Sequence, residues 1–226
     1  MADWIQGTNA NAGNVTTASL TLNGVTSGST LISTIQYNSL VDTYSKVSDD
    51  KNAGNYTKLA PQGAGNPITS NLLYFSYMPG AASGNTTITF VFTVGQFIIW
   101  IVGEIGPCNT SSPLDVSNSS GVTTSGTNPT APSITTGSAN EVIVAVILSD
   151  ASNFVATITG FTDRQNNGPG TLELSTKGSA AAATYGGTNY NCGAASDDYA
   201  MWILGFKAPA AGTTTVPWPF FNMRAA

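Results

Sequence analysis

The chain has no histidine and carries charge on only 8% of its 226 residues. The first absence removes the usual general base, the usual zinc ligand and every Ser-His-Asp relay. Globular proteins average about 25% charged residues, so the polar surface here must come from Thr, Ser, Asn and Gly. Hydrophobic residues still make up 41% of the chain, so the low charge is not a signature of disorder. Seven basic residues against twelve acidic ones leave a net charge of -5. The basic residues are scattered and form no cationic stripe, which argues against nucleic acid and acidic membranes as partners.

Long apolar runs are missing too. The longest, "FIIWIV" from Phe97 to Val102, is far shorter than the roughly 20 residues a membrane helix needs. The N-terminal "MADWIQGTNANAG" lacks the positive segment and apolar stretch of a secretory signal, so the expectation is a chain made in a cytoplasm. Cysteine is scarce: Cys108 and Cys192 permit one intramolecular disulfide and fit no zinc spacing. Both lie in Gly/Asn/Ser-rich stretches that read as loops. Free thiols are the plainer expectation for a cytoplasmic product, with a Cys108–Cys192 bridge as the alternative.

What the chain does have is period-two alternation. It recurs in Ala18-Leu20-Leu22, Leu31-Ser33-Ile35-Tyr37, Leu73-Phe75-Tyr77 and Ile88-Phe90-Phe92, each bounded by Gly, Asn, Pro or Ser, the pattern of half-buried strands. No helical stripe exceeds a turn or two, and "GSAAAATYGG" is too short and glycine-bounded for a helix. Three segments, "FIIWIVGEI", "EVIVAVILS" and "YAMWILGFK", are apolar on both faces, as central or covered strands require. Between them, residues 109–139 are mostly Ser, Thr, Asn and Pro, which predicts a long surface connection with one or two edge strands. The expected fold is all-β: an antiparallel β-sandwich, jelly-roll or Greek-key like, over residues 1–209, with an extended aromatic tail at 210–226. No tandem repeat appears.

The order of these signals resembles a β-sandwich module of bacteriophage structural proteins and bacterial surface proteins. The resemblance rests on "STLISTIQY" (Ser29 to Tyr37), "VSDDKNAGNYT" (Val47 to Thr57), "LLYFSYM" (Leu72 to Met78), "SGNTTITFVF" (Ser83 to Phe92), "IVGEIG" (Ile101 to Gly106), "SPLD" (Ser112 to Asp115) and "YAMWILGFKAP" (Tyr199 to Pro209). Each motif is common strand-and-turn chemistry, and the fixed order from about residue 15 to 209 supplies the specificity. The departures are the inserted residues in "DDKNAGN" and the loop "GPCNTSS". In the module the first of these looks like a hairpin, with Gly54 at positive φ and Asx side chains such as Asn55 bonding nearby backbone. A calcium loop at Asp49, Asp50 and Asn52 fits less well, because Lys51 intrudes and no acid follows before Glu104. No metal or cofactor is expected.

Candidate acids are Glu104, Glu141, Glu173 and the Asp197-Asp198 pair. Glu104 stands out because it interrupts an apolar strand, where a buried acid must be paired with Lys or bonded to loop backbone. Asp197 and Asp198 mark the polar start of the last strand. Tyr185, Tyr190 and Tyr199 flank glycine-rich loops and are the candidates for stacking on a sugar, against ordinary sandwich packing. The tail "GTTTVPWPFFNMRAA" gathers Trp218, Phe220, Phe221 and Met223 around two prolines that forbid regular structure. So apolar a segment must lie on its own sandwich or dock on another subunit.

The expectation is a non-enzymatic virion structural protein, a capsid decoration (cement) or tail-associated subunit present in many copies. It would be made in the host cytoplasm and would bind other copies of itself and a capsid or tail protein. The alternative is a secreted or cell-surface adhesion or carbohydrate-binding module, with a glycan as partner. A glycan-active enzyme ranks last, because no catalytic constellation is visible.

Overall fold

The computed structural model describes residues 2–39, 41–54, 56–61, 71–123, 128–149, 156–166, 172–192 and 198–210. These residues are all-β and form fifteen strands: β1 Asp3–Val25, β2 Thr30–Tyr37, β3 Tyr44–Asp49, β4 Thr57–Lys58, β5 Leu72–Pro79, β6 Gly84–Gly106, β7 Leu114–Thr123, β8 Ser133–Thr135, β9 Glu141–Ser149, β10 Thr157–Ile158, β11 Thr162–Asn166, β12 Leu172–Ala180, β13 Thr184–Gly186, β14 Tyr190–Asn191 and β15 Asp198–Phe206. Every pairing is antiparallel. The first large sheet runs β1-β6-β2-β5-β4, with β3 also on β6, and the second runs β11-β12-β9-β15-β7. The chain crosses between them at residues 107–113, just after a cis Gly106-Pro107 peptide. The three doubly apolar segments become β6, β9 and β15, all interior strands, as expected.

The two sheets pack face to face. Ile32, Phe75, Ile101 and Ile105 of the first meet Val144, Leu174, Trp202 and Phe206 of the second in one buried cluster. Along one side the sheets are tied edge to edge. There Asn9 Nδ2 donates to Gln165 Oε1 at 2.8 Å, Gln165 Nε2 donates to the Gly7 carbonyl at 3.0 Å, and Arg164 lies 3.6 Å from Asp3. Such ties cover backbone that an open edge would expose.

Strands β2 and β5 correct the expectation of half-buried strands, because both are covered on their two faces. The reason is the length of β1 and β6. Their ladder shifts register between Ala12 and Thr17, and such bulges bend paired strands. At the corner Asn14 has a φ of 48°, and a Cβ on Gly95 would stand 2.5 Å from the Asn14 side-chain oxygen. Beyond the bend the far half of the hairpin, joined by β3, lies against the outer face of its own sheet. Leu22, Val47, Ile88 and Phe90 there pack with Leu31, Ile35, Tyr74 and Trp100. Tyr37 and Tyr74 stack within this layer at 5.7 Å, with Tyr44 edge-on to Tyr74. The second sheet is also covered on its outer face. The short ladders β10-β14 and β8-β13 roof Ile147, Tyr199 and Met201 on one part and Ile143 and Ile203 on the other.

Candidate functional site

The fold brings together two of the quoted motifs, "SPLD" and "GFK". Strand β7 pairs β15 with a register break between Gly205 and Phe206: Gly205 faces Val116 while Phe206 faces Leu114. Asp115 is therefore the extra residue of a bulge, which re-aims its side chain. On the other side of β15, Phe206 faces Val142, so Glu141 and Lys207 continue the two strands side by side. Three neighbouring strands thus deliver an aspartate, a lysine and a glutamate to one point. Gly205 leaves room for the Glu141 carboxyl, since a Cβ there would stand 2.8 Å from Glu141 Oε2.

Lys207 Nζ lies 3.2 Å from Asp115 Oδ1, with the two side chains 32% and 18% exposed. The other Asp115 oxygen accepts the Gly137 N–H at 3.0 Å. That bond, opposed by partial burial and helped by the Lys207 charge, holds the Asp115 carboxyl below its ordinary pKa. Glu141 behaves oppositely. It is fully buried, and burial first and the Asp115 carboxylate next push its pKa up to about 7. The Ser138 backbone and Asp115 approach it, yet neither carboxyl oxygen closes a hydrogen bond of good geometry. Two adjacent carboxyls with pKa values driven apart place an ionised and a protonated acid beside one ammonium.

This cluster borders a groove of about 340 Å³ lined by Asn109, Ser138, Asn140, Lys207 and Pro209. A second of about 340 Å³, lined by Ser27, Cys108, Thr110 and Pro209, adjoins it through Asn109 and Ala210. Both lie where the chain crosses between sheets and where the last strand leaves the second sheet.

The other sequence candidates fall elsewhere. Glu104 is fully buried on β6 and accepts Gln6 Nε2 at 2.6 Å and the Thr26 N–H at 2.7 Å. Loop backbone satisfies it, as one of the two expected routes would have it, but the second donor is a glutamine rather than a lysine. Glu173 on β12 accepts the Ala156 N–H at 2.7 Å; its burial outweighs that bond and raises its pKa to about 7. Asp198 opens β15 as expected, and Asp197 lies outside the described residues. Tyr190 and Tyr199 follow the ordinary sandwich packing that the sequence favours over a sugar platform. They are 1% and 0% exposed, because Tyr190 on β14 and Tyr199 on β15 pack into one cluster between the short ladder and the second sheet. Tyr185 is part-exposed and donates its hydroxyl to the Ala181 carbonyl at 2.6 Å.

Cys108 and Cys192 are both free and buried, one in the core between the sheets and the other under the outer ladder. The loop-like contexts of the sequence conceal two core positions, and the separate clusters leave no Cys108–Cys192 bridge. Burial pushes each thiol up to about 11, far from a reactive thiolate. The tail residues Trp218, Phe220, Phe221 and Met223 lie outside the described residues.

The "DDKNAGN" segment is a turn built on its Asx side chains. Asp49 Oδ1 accepts the N–H groups of Lys51 and Asn52 at 2.8 and 2.7 Å. Asp50 Oδ1 accepts the Thr87 N–H at 2.8 Å, and Asn52 Oδ1 accepts that of Ala82 at 2.9 Å. Asn52 takes the bridging role expected of Asn55, which lies outside the described residues. Gly54 is not among the glycines of positive φ, which corrects that part of the reading. EDTA should therefore leave the melting temperature unchanged, whereas Asp49→Ala should cost about 1–2 kcal/mol in urea unfolding by stranding two N–H groups. A melting temperature lost in EDTA and restored by calcium would make Asp49 and Asp50 ligands instead.

Comparison with known protein families, curated proteins and solved structures finds no match to this chain.

Proposed function

We propose that this protein is a non-enzymatic structural subunit of a bacteriophage particle, a capsid decoration or tail-associated protein that works in many copies and anchors to its neighbours through its C-terminal segment. The observation that carries the proposal is the path of the chain after β15. Phe206 is fully buried, Lys207 and Ala208 are half-buried, and Pro209 and Ala210 are exposed beside the two grooves. The last described residues therefore lie at the surface of the sandwich and not within its core. Ser19 and Thr21 bond Thr89 and Thr87 across the exposed face of β1 and β6 at 3.0 Å each, a nearly uncharged surface suited to close packing among copies. The resemblance of motif order supports the same assignment. The adhesion or sugar-binding alternative loses two of its three platform aromatics to the core.

Full burial of a large apolar side chain is worth roughly 1.5–3 kcal/mol, so Trp218, Phe220 and Phe221 offer several kcal/mol of contact before ordering costs. Deleting residues 213–226 should leave the monomer folded, with an unchanged melting temperature. Its self-association or particle binding, followed by sedimentation and light scattering, should weaken sharply, and Trp218→Ala should reproduce much of the loss. A truncated monomer that melts early but assembles normally would identify the segment as a clasp on its own sandwich.

A further inference from the structure

We infer that Lys207 and Asp115 are joined by a self-formed intramolecular amide bond, with Glu141 as the proton-handling group. The inference stands on the local geometry and does not depend on the particle assignment. Lys207 Nζ is 3.2 Å from Asp115 Oδ1, which holds the amine against the carboxyl group it would attack. The Gly137 N–H fixes the other Asp115 oxygen, so the carboxyl is presented in one orientation. Glu141 stands beside the pair with no exposed surface and neither oxygen well bonded. A buried acid with unused bonding capacity, seated against a glycine where a Cβ would crowd it, is costly to keep for packing alone.

The chemistry balances without any co-reactant. One proton passes within the ion pair, giving the neutral amine and the neutral carboxylic acid. The Nζ lone pair then attacks Asp115 Cγ, forming the N–C bond. Protonated Glu141 donates to the oxygen that will leave and recovers a proton from the nitrogen, so it ends as it began. The Cγ–Oδ bond breaks, and one water departs with the carboxylate oxygen and two protons from the ammonium. Nothing is oxidised or reduced. In bulk water the separated ions are favoured over the amide. Part-burial of the pair and its enforced contact shift that balance, and the protonation of Glu141 near neutrality, caused first by burial, supplies the acid.

The bond would fasten the edge strand β7 to the residue that follows β15. A comparable ion pair serves as an internal control. Lys58 lies 3.6 Å from Asp42, with side chains 32% and 47% exposed, and its ammonium is engaged over the rings of Tyr44 and Tyr74 and by the Tyr44 carbonyl. Among the described residues no buried carboxyl adjoins it, and it should stay unlinked.

The test is the intact mass of the full chain, measured after unfolding in acid. The expected mass is one water below that of the sequence, with a branched tryptic peptide joining the Asp115 and Lys207 segments. Lys207→Arg and Asp115→Ala should restore the full mass, and Lys58→Arg should leave the deficit in place. Glu141→Gln, checked for native circular dichroism, should form the bond about a hundredfold more slowly. Folded wild-type chain that keeps its full mass after prolonged incubation at neutral pH overturns the inference. So does a water loss that persists in Lys207→Arg, which would mark a cyclised aspartyl residue instead. Formation at the wild-type rate in Glu141→Gln removes Glu141 from the reaction.

Discussion

Raising the pH from about 4.5 to 8 should lower the melting temperature of this protein, and the double substitution Glu141→Gln with Glu173→Gln should flatten the fall. Both carboxyls have pKa values raised from 4.5 to about 7, in each case first by burial. As pH climbs through the ordinary carboxyl range the unfolded chain releases these protons while the folded chain keeps them. The folded state then binds more protons than the unfolded one, so stability declines with pH until the folded groups also ionise near 7, and it levels off above that. Each group accounts for on the order of 3 kcal/mol at most, because one pKa unit is worth about 1.4 kcal/mol. For a chain of this size that is roughly 10 °C per site.

The depressed acids do not mask the effect. Asp115 is lowered chiefly by the Gly137 N–H, and Asp42 by Tyr74 and Lys58 against its own burial. Their contributions are lost only as pH falls through and below the ordinary carboxyl value of 3.8, so the two windows are separate. An amide between Lys207 and Asp115 would remove both the carboxylate and the ammonium beside Glu141, whose effects on it oppose each other, but leave its burial, the larger cause, in place. Glutamine mimics the protonated acid, and above pH 7 the double variant should be the more stable protein. A wild-type melting temperature that is flat or rises between pH 5 and 8 would show that both carboxyls ionise freely in the folded state.

Local pattern carried the strands well and the layering poorly. The doubly apolar stretches around Trp100, Val144 and Trp202 announced interior strands because burial on both faces leaves no room for alternation. The Pro- and Ser-rich stretch after Pro113 yielded an edge strand, β7, and the short β8. The folding-over of the β1-β6 hairpin was not legible. It depends on a bulge whose consequence, contact between Phe90 and Trp100, joins two halves of one strand that local periodicity treats as continuous. How Tyr190 and Tyr199 become buried was hidden for a related reason: glycine and asparagine around them signal turns, while the two-residue ladder that holds Tyr190 is paired at long range.

The candidate site shows the same limit. Asp115, Glu141 and Lys207 were visible singly, one in a turn-like motif and two at strand ends. Their meeting depends on a one-residue register break between β7 and β15, and the side-chain period of two makes such a shift decisive. A signal did exist. Gly205 interrupts an otherwise bulky strand, and a strand glycine often marks a bulge or a close approach by another group. Here the group is the Glu141 carboxyl.

Glu104→Ala should be the most damaging single substitution outside the hydrophobic core, costing about 3–5 kcal/mol in urea unfolding. Glu104 faces Gln6 on β1 and Leu31 on β2, and its two oxygens close the turn between those strands. One holds the Thr26 N–H. The other holds Gln6 Nε2, which also donates to the Asn23 carbonyl. Removing the carboxyl leaves two donors without acceptors and a void in a site that water does not reach. Glu104→Gln separates these terms. Its amide fills the space and its oxygen can still accept one of the two bonds, but its nitrogen then meets a second donor, so the loss should be smaller, about 1–3 kcal/mol. The turn is further tied by Gly28 N–H to the Ala81 carbonyl and by Ala81 N–H to that of Ser29, so hydrogen exchange should report the damage at Thr26 to Ser29 first. Equal losses in the two variants would mean that charge and not bond geometry fixes the requirement for glutamate. A negligible loss in Glu104→Ala would mean that the turn holds without this carboxyl.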